Sequence, residues 1–234
     1  MKKVPILILI ILPFIGMAQK PLLDSTHMPN AVHFLPAPPA ESSDAFRYDQ
    51  SQYQWGKQQR NDSTRLAIAV GDAVWSIDNI CRIYSGVIGI TISADATPAI
   101  YRMLTLGLVT TDQAGKLPKN RYMRTRPYVY YGEPTIYPSD EQWLRTNGSY
   151  PSGHTILGWS AALLLTELAP DRADTILARG YMYGQSRVVA GYHWQSDVDA
   201  GRLVASAAVA RLHADKRFLR LMKKARKEYL RLTK

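Results

Sequence analysis

The stretch PSGHTILGWSAALLLTELAP, Pro151 to Pro170, decides the fold class. Its opening Pro-Ser-Gly is where a loop turns into a helix. An apolar run then continues to about Leu168, and Pro170 ends it. Similar patterns lie on both sides. Thr175 to Val189 and Gln195 to His213 read as two more helices. Thr97-Pro98 is a helix start, and Ile100, Met103, Leu104 and Leu108 continue its 3.6-residue period. Asn61, Asp62 and Ser63 cap a helix with the apolar face Leu66, Val70, Ala73, Val74 and Ile77. Pro118 stops any helix just before Lys119, Arg121 to Tyr137 reads as an irregular loop, and a short helix opens at Ser139-Asp140-Glu141. Strand alternation is confined to Val87–Ile92. The predicted architecture is an all-α, single-domain helical bundle.

The 234 residues suit one domain with a full core, and an apolar fraction of 46% against 21% charged residues is that of a globular protein. Lys2 and Lys3 precede the apolar run Val4 to Ile15 and the small residues Gly16 and Ala18, the pattern of a signal peptide over residues 1–18, cut before Gln19. Twelve apolar residues are too few for a bilayer, which takes about 20. The chain is therefore expected to be exported, to the periplasm in a bacterial host, and not membrane-spanning. Residues 19–43 are rich in proline and point to an extended arm, lying on the body or exchanged with a partner, with disorder as the alternative. A helical domain over 44–214 follows. Cys81, the only cysteine, excludes an intrachain disulfide and falls in an apolar helical pattern, as a small buried residue would.

Charge is concentrated at one end. Arg211 to Lys234 carry ten basic and two acidic residues, while the rest of the chain after Ala18 is balanced. In the C-terminal helix expected over 215–234, Phe218, Leu221, Met222, Ala225, Tyr229 and Leu232 form one face and basic residues fill the other. Such a helix either docks with a solvated outer face or lies on an anionic membrane or polyanion.

Three segments carry chemistry: Lys119-x6-Arg126-Pro127, Pro151-Ser152-Gly153-His154, and Ser186-Arg187-x5-His193-x3-Asp197. Lys119, Arg126 and Arg187 suit phosphate oxygens. Ser152 and Gly153 sit at a helix N-terminus, where unpaired N–H groups and the helix dipole favour an anion. The four-residue step from His193 to Asp197 puts a carboxylate within reach of the imidazole, either fixing its tautomer and freeing the other nitrogen as a nucleophile, or serving as a cap at a helix start along with Asp199. His27, His33 and His213 form no ligand cluster, and no metal or other cofactor is expected. No stacking-platform pattern points to nucleic acid.

Taken jointly, these eleven residues resemble the signature of the phosphatidic acid phosphatase type 2 and vanadium haloperoxidase superfamily. Gly148 to Thr155, Arg179-Gly180 with Gly184, Ser186-Arg187-Val188, the run Gly191 to Val198, the loop Tyr122 to Pro127 and the proline-rich arm resemble the bacterial class A nonspecific acid phosphatases. The resemblance covers about Leu35 to Leu212. It implies a metal-independent phosphatase of phosphate monoesters with broad range and a possible transphosphorylation side activity. In it Lys119, Arg126 and Arg187 clamp the phosphate, and Ser152 with the Gly153 backbone completes the cradle. His193 attacks phosphorus to form a phosphohistidine, Asp197 orients it, and His154 serves as acid and then base. A homodimer or higher homo-oligomer is also implied. The alternatives within the superfamily are a lipid or isoprenyl phosphate phosphatase and a vanadate-dependent haloperoxidase.

Overall fold

The helix expected after Pro151 is present as Gly153–Leu168, and its side chains are buried around almost its whole circumference. A helix that is apolar on every side belongs in the middle of a fold, and the others pack around it. The computed structural model describes residues 19–234, so the expected signal peptide lies outside the described residues. In order, the helices are α1 (Asp44–Gln59), α2 (Ser63–Ala73), α3 (Ile77–Ile88), α4 (Pro98–Thr111), α5 (Lys116–Tyr122), α6 (Pro127–Tyr131), α7 (Glu141–Leu144), α8 (Gly153–Leu168), α9 (Ala173–Ala190), α10 (Gln195–His213) and α11 (Lys216–Leu232). The described residues contain no strand, as an all-α single domain requires, and none of their helices is long and apolar enough to cross a membrane.

α8 packs mainly against α9, α10 and α4. Leu157, Leu164 and Leu165 of α8 meet Ile100, Met103 and Leu104 of α4 and Ile176 of α9 in one core, which also takes in Cys81. Each such aliphatic side chain contributes about 1.5–3 kcal/mol by leaving water. Burial also pushes the Cys81 thiol up to about 12, so it stays protonated and inert at neutral pH. α11 belongs to the same core through Phe218, Ala225 and Tyr229. Residues 19–43 lie on the body. Leu23, Met28 and Ala31 are buried against Ile156, Val204 and Ala208, the Leu22 N–H donates to Thr110 Oγ1 and the Tyr150 hydroxyl to the Pro36 carbonyl.

Four local expectations are corrected. The stretch Arg121 to Tyr137, expected as an irregular loop, contains the end of α5 and all of α6 (Pro127–Tyr131). The Val87–Ile92 run is no strand: α3 continues through Ile88 and ends at Gly89, whose φ of 81° is the left-handed conformation of a helix C-cap. The helix capped by Asp62 stops at Ala73 and a new one starts at Ile77, capped by Ser76. Its buried side is Ala69, Asp72 and Ala73, with Val70 exposed; apolar periodicity misses a face that buries an aspartate. Pro118 does not stop a helix. It sits in the first turn of α5, where the missing N–H costs nothing, and Lys119 follows it on the same helix.

α10 comes close to the start of α8. A Cβ on Gly201 would lie 2.9 Å from the Ser152 carbonyl oxygen and 2.9 Å from Thr155 Cβ. Gly201→Ala is therefore expected to cost about 1–3 kcal/mol in urea unfolding. It should also push the N-terminus of α8 off α10.

Candidate active site

Helix ends meet where α10 touches α8. The Ser152 N–H donates to the Asp197 carbonyl at 2.9 Å, joining the N-terminus of α8 to that of α10. α9 delivers Arg187 in its last turn, then reverses at Gly191 (φ 84°), and the Tyr192 and His193 N–H groups both turn back to the Arg187 carbonyl. α5 brings Lys119, and Arg126 caps α6. Together they enclose a cavity of about 220 Å³ lined by Lys119, Arg126, Gly153, His154, Arg187 and His193, with Trp75, Asp112, Lys116, Trp143 and Asn147 toward its rim. Ser152 and Asp197 stand behind this wall. The Ser152 hydroxyl caps α8, accepting from the Thr155 N–H and Thr155 hydroxyl. A Cβ on Gly153 would project between Trp75 and Lys119, at 3.5 and 3.8 Å, taking up room in the cavity.

His193 is buried and held from both sides. Its Nδ1 faces Asp197 Oδ2 at 3.3 Å, and a carboxylate can only accept, so Nδ1 carries the proton and Nε2 keeps a lone pair. Arg126 Nη1 donates to Nε2 at 3.1 Å. Asp197 Oδ2 also accepts the Trp194 N–H at 2.9 Å, closing the first turn of α10. Its Oδ1 accepts from Arg124 Nη1 at 2.6 Å, and Arg124 Nη2 reaches Asp49 Oδ2 on α1 at 2.7 Å. Asp49 also takes the Ser196 N–H and hydroxyl. Burial alone would weaken the charge on Arg124, but Asp197 and Asp49 outweigh it and raise its pKa.

The cations facing the cavity are destabilised. Burial, reinforced by Arg126, brings Lys119 down to about 7, and Arg126 itself falls to about 10. Lys119 is steadied by the Gly148 carbonyl at 2.8 Å, and Arg126 by the carbonyls of Leu144, Asn147 and Tyr192. Arg187 has no such help. It is wholly buried, and none of its three nitrogens has a hydrogen-bond partner among the described residues. Only the face of Tyr192, 4.5 Å from the guanidinium carbon, supports it. A buried unpaired guanidinium costs several kcal/mol unless an anion joins it.

His154 lies across the cavity from this group. Its Nε2 is 3.0 Å from the Ala73 carbonyl, which can only accept, so Nε2 carries hydrogen and Nδ1 is the nitrogen left over. Trp75 packs edge-on against the ring. Burial first, then the nearby cations, holds both histidines well below their ordinary value. Next to Ala73, the buried Asp72 pairs with Arg179 and takes the Ser186 hydroxyl at 2.7 Å, fixing the end of α2 to α9.

Residues 96–219 match the family model for the PAP2 superfamily. The chain belongs to the PAP2 superfamily. Among its relatives, a non-specific acid phosphatase of Providencia stuartii is 43% identical over 206 residues, covering 88% of this chain and 83% of the relative. A protein of the same name from Salmonella typhimurium is 44% identical over 201 residues, 85% of this chain and 80% of the relative. An acid phosphatase of Zymomonas mobilis is 39% identical over 196 residues, 83% and 74%. The resemblance read from the motifs is thus borne out across most of the chain, and these matches support a phosphatase enzyme.

In this PAP2 chain the structure gathers all eight expected site residues at one place, six on the cavity wall and two behind it. Sequence reading missed those that hold them. Arg124 passed as one more cation of a basic loop, yet it is buried between two aspartates. Asp49 lies 75 residues away from it, so no local spacing could point there. Replacing Arg124 with leucine leaves Asp49 and Asp197 buried without their cation. The expected loss is about 3–5 kcal/mol in denaturant titration, larger than for Arg121→Leu, whose side chain is exposed.

Proposed function

We propose that this chain is an exported, metal-independent acid phosphatase of broad range, working on phosphate monoesters through a phosphohistidine at His193. The observation that carries the reading is Arg187, a buried guanidinium with none of its three nitrogens partnered, beside an imidazole whose Nε2 lone pair is held only by Arg126. A phosphoryl group has the oxygens to satisfy it. With Lys119 and Arg126 it would meet three cations, enough to balance the charge of a phosphorane-like transition state without a metal.

In the first step Arg126 transfers a donor from His193 Nε2 to a phosphate oxygen, and Nε2 attacks phosphorus. The P–O bond to the alcohol breaks as the P–N bond forms, and His154 Nδ1–H protonates the leaving oxygen. Asp197 balances the charge that develops on His193. Water then attacks the phosphohistidine, giving a proton to His154 Nδ1. The P–N bond breaks, and phosphate leaves with His193 Nε2 free again. General acid help of this kind is worth about 10²–10⁴ in rate. Nδ1 of His154 is also the nitrogen that faces no protein acceptor, since Nε2 is taken by Ala73. An ester dianion brought against His154 offsets the cations that depress it, raising its proton affinity when the acid is needed. Export through the segment before Gln19, and the homo-oligomer implied by the resemblance, belong to the same proposal.

The pH dependence follows from signs. His193 is depressed and stays neutral through the weakly acidic range, as a nucleophile must. Lys119 loses its charge as pH rises through about 7, and His154 becomes harder to protonate in the same direction. The profile of kcat/KM for p-nitrophenyl phosphate is expected to be highest in the acid range and to fall above about pH 7; a profile that climbs past pH 8 would contradict the mechanism.

The deciding experiment is p-nitrophenyl phosphate hydrolysis between pH 4 and 8 with EDTA present, by the wild type and His193→Ala. Activity surviving EDTA and lost in the variant, with acid-labile label on the wild-type protein after quenching with a radiolabelled ester, supports the proposal. Activity that EDTA abolishes, or that His193→Ala retains, refutes it.

A further inference from the structure

The cationic C-terminal helix takes no part in the chemistry above, and the fold puts it to one side. α11 is anchored by Phe218, Ala225 and Tyr229. Its two nearby acids are already used: Glu228 is buried and accepts the Ile100 N–H, and Asp215 caps the helix and pairs with Arg217. What remains outside is positive. Two adjoining grooves share Ala99 and Lys224; one is walled by Lys223, Arg226 and Lys227, the other by Arg102 and Arg220.

Two exposed leucines interrupt this charge. Leu219 and Leu230, 44% and 49% exposed, are three helical turns apart, on the same outer face as Lys223 and Arg226. Single exposed leucines are common on solvated faces, but these two stand in line with cations on one side of the helix. An interface that combines anionic headgroups with an acyl boundary uses both. No exposed aromatic on α11 offers a stacking surface for bases, since Tyr229 is buried. We infer that the outer face of α11 docks the protein on an anionic lipid surface.

α4 shows what such docking would do to the active site. Ala99, near its start, lines the groove, while Asp112, just past its end, lines the catalytic cavity. Thirteen residues of nearly continuous helix separate them by about 20 Å. The cavity therefore stays open to small esters in water while the protein is held at the surface. The lipid is an anchor, distinct from the substrate.

The test is sedimentation of the purified protein with vesicles of equal parts phosphatidylglycerol and phosphatidylcholine, and with phosphatidylcholine alone. Binding to the anionic vesicles should exceed binding to the neutral ones by at least tenfold and weaken with added salt. The triple reversal Lys223→Glu, Arg226→Glu and Lys227→Glu should abolish it, and Leu219→Ser with Leu230→Ser should weaken it severalfold. All these proteins should hydrolyse p-nitrophenyl phosphate like the wild type, with or without vesicles, which also verifies that the variants fold. No preference for anionic vesicles, or a preference that survives the triple reversal, overturns the inference. So does retention on a DNA duplex without vesicle binding.

Discussion

Asp197 is the residue on which both the fold and the site depend. One carboxylate orients His193, closes the first turn of α10 through the Trp194 N–H and takes a buried arginine from the loop before α6. Its own carbonyl receives the Ser152 N–H at the head of α8. Three segments far apart in sequence, around residues 124, 152 and 193–197, are therefore referred to one residue. Because burial makes an unpaired carboxylate so costly, none of these bonds can be given up cheaply. The catalytic geometry is consequently as rigid as the helix crossing that carries it, and that crossing is tight because Gly201 has no side chain.

The site itself is electrostatically uncomfortable. Lys119, Arg126 and Arg187 converge with little carboxylate to answer them, and the pKa values of all three are depressed. Asp197, whose charge favours the charged forms of Lys119 and Arg126, is already shared with Arg124. Such an arrangement costs stability by itself, and an anion entering the cavity would relieve it. The buried network of Asp72, Arg179 and Ser186, which contains both signs, shows the opposite solution on the other side of α9.

Helices with a single strong signal were legible. The apolar run of α8, the Thr97-Pro98 start of α4 and the extent of α10 correspond closely to their sequence patterns. The eight candidate residues could be singled out because three compact segments carry them, and the fold brings those segments to one place. Failures came where a long-range partner overrides a local rule. The buried face of α2 contains Asp72 because Arg179 is 107 residues away to receive it. Pro118 starts a helix that it was expected to stop, since only the interior of a helix excludes proline. Arg124 and Asp49 belong to the same class: each looks like a surface residue until the other is placed beside it.

The cavity has walls of two different origins. Its inner end, with His193, Arg187, His154 and Gly153, comes from the ends of α8 and α9 and the turn into α10, all anchored in the core. Its rim comes from Trp75 in the link between α2 and α3, from Trp143 on the four-residue α7, and from Asp112 and Lys116 around the start of α5. Both tryptophans are about half exposed, and Trp75 packs on the head of α8. Inner and outer parts can therefore diverge at different rates. Exchange at the rim would reshape the mouth of the cavity while its inner wall stays as it is. A lineage with this division can broaden or narrow its diet without rebuilding its engine.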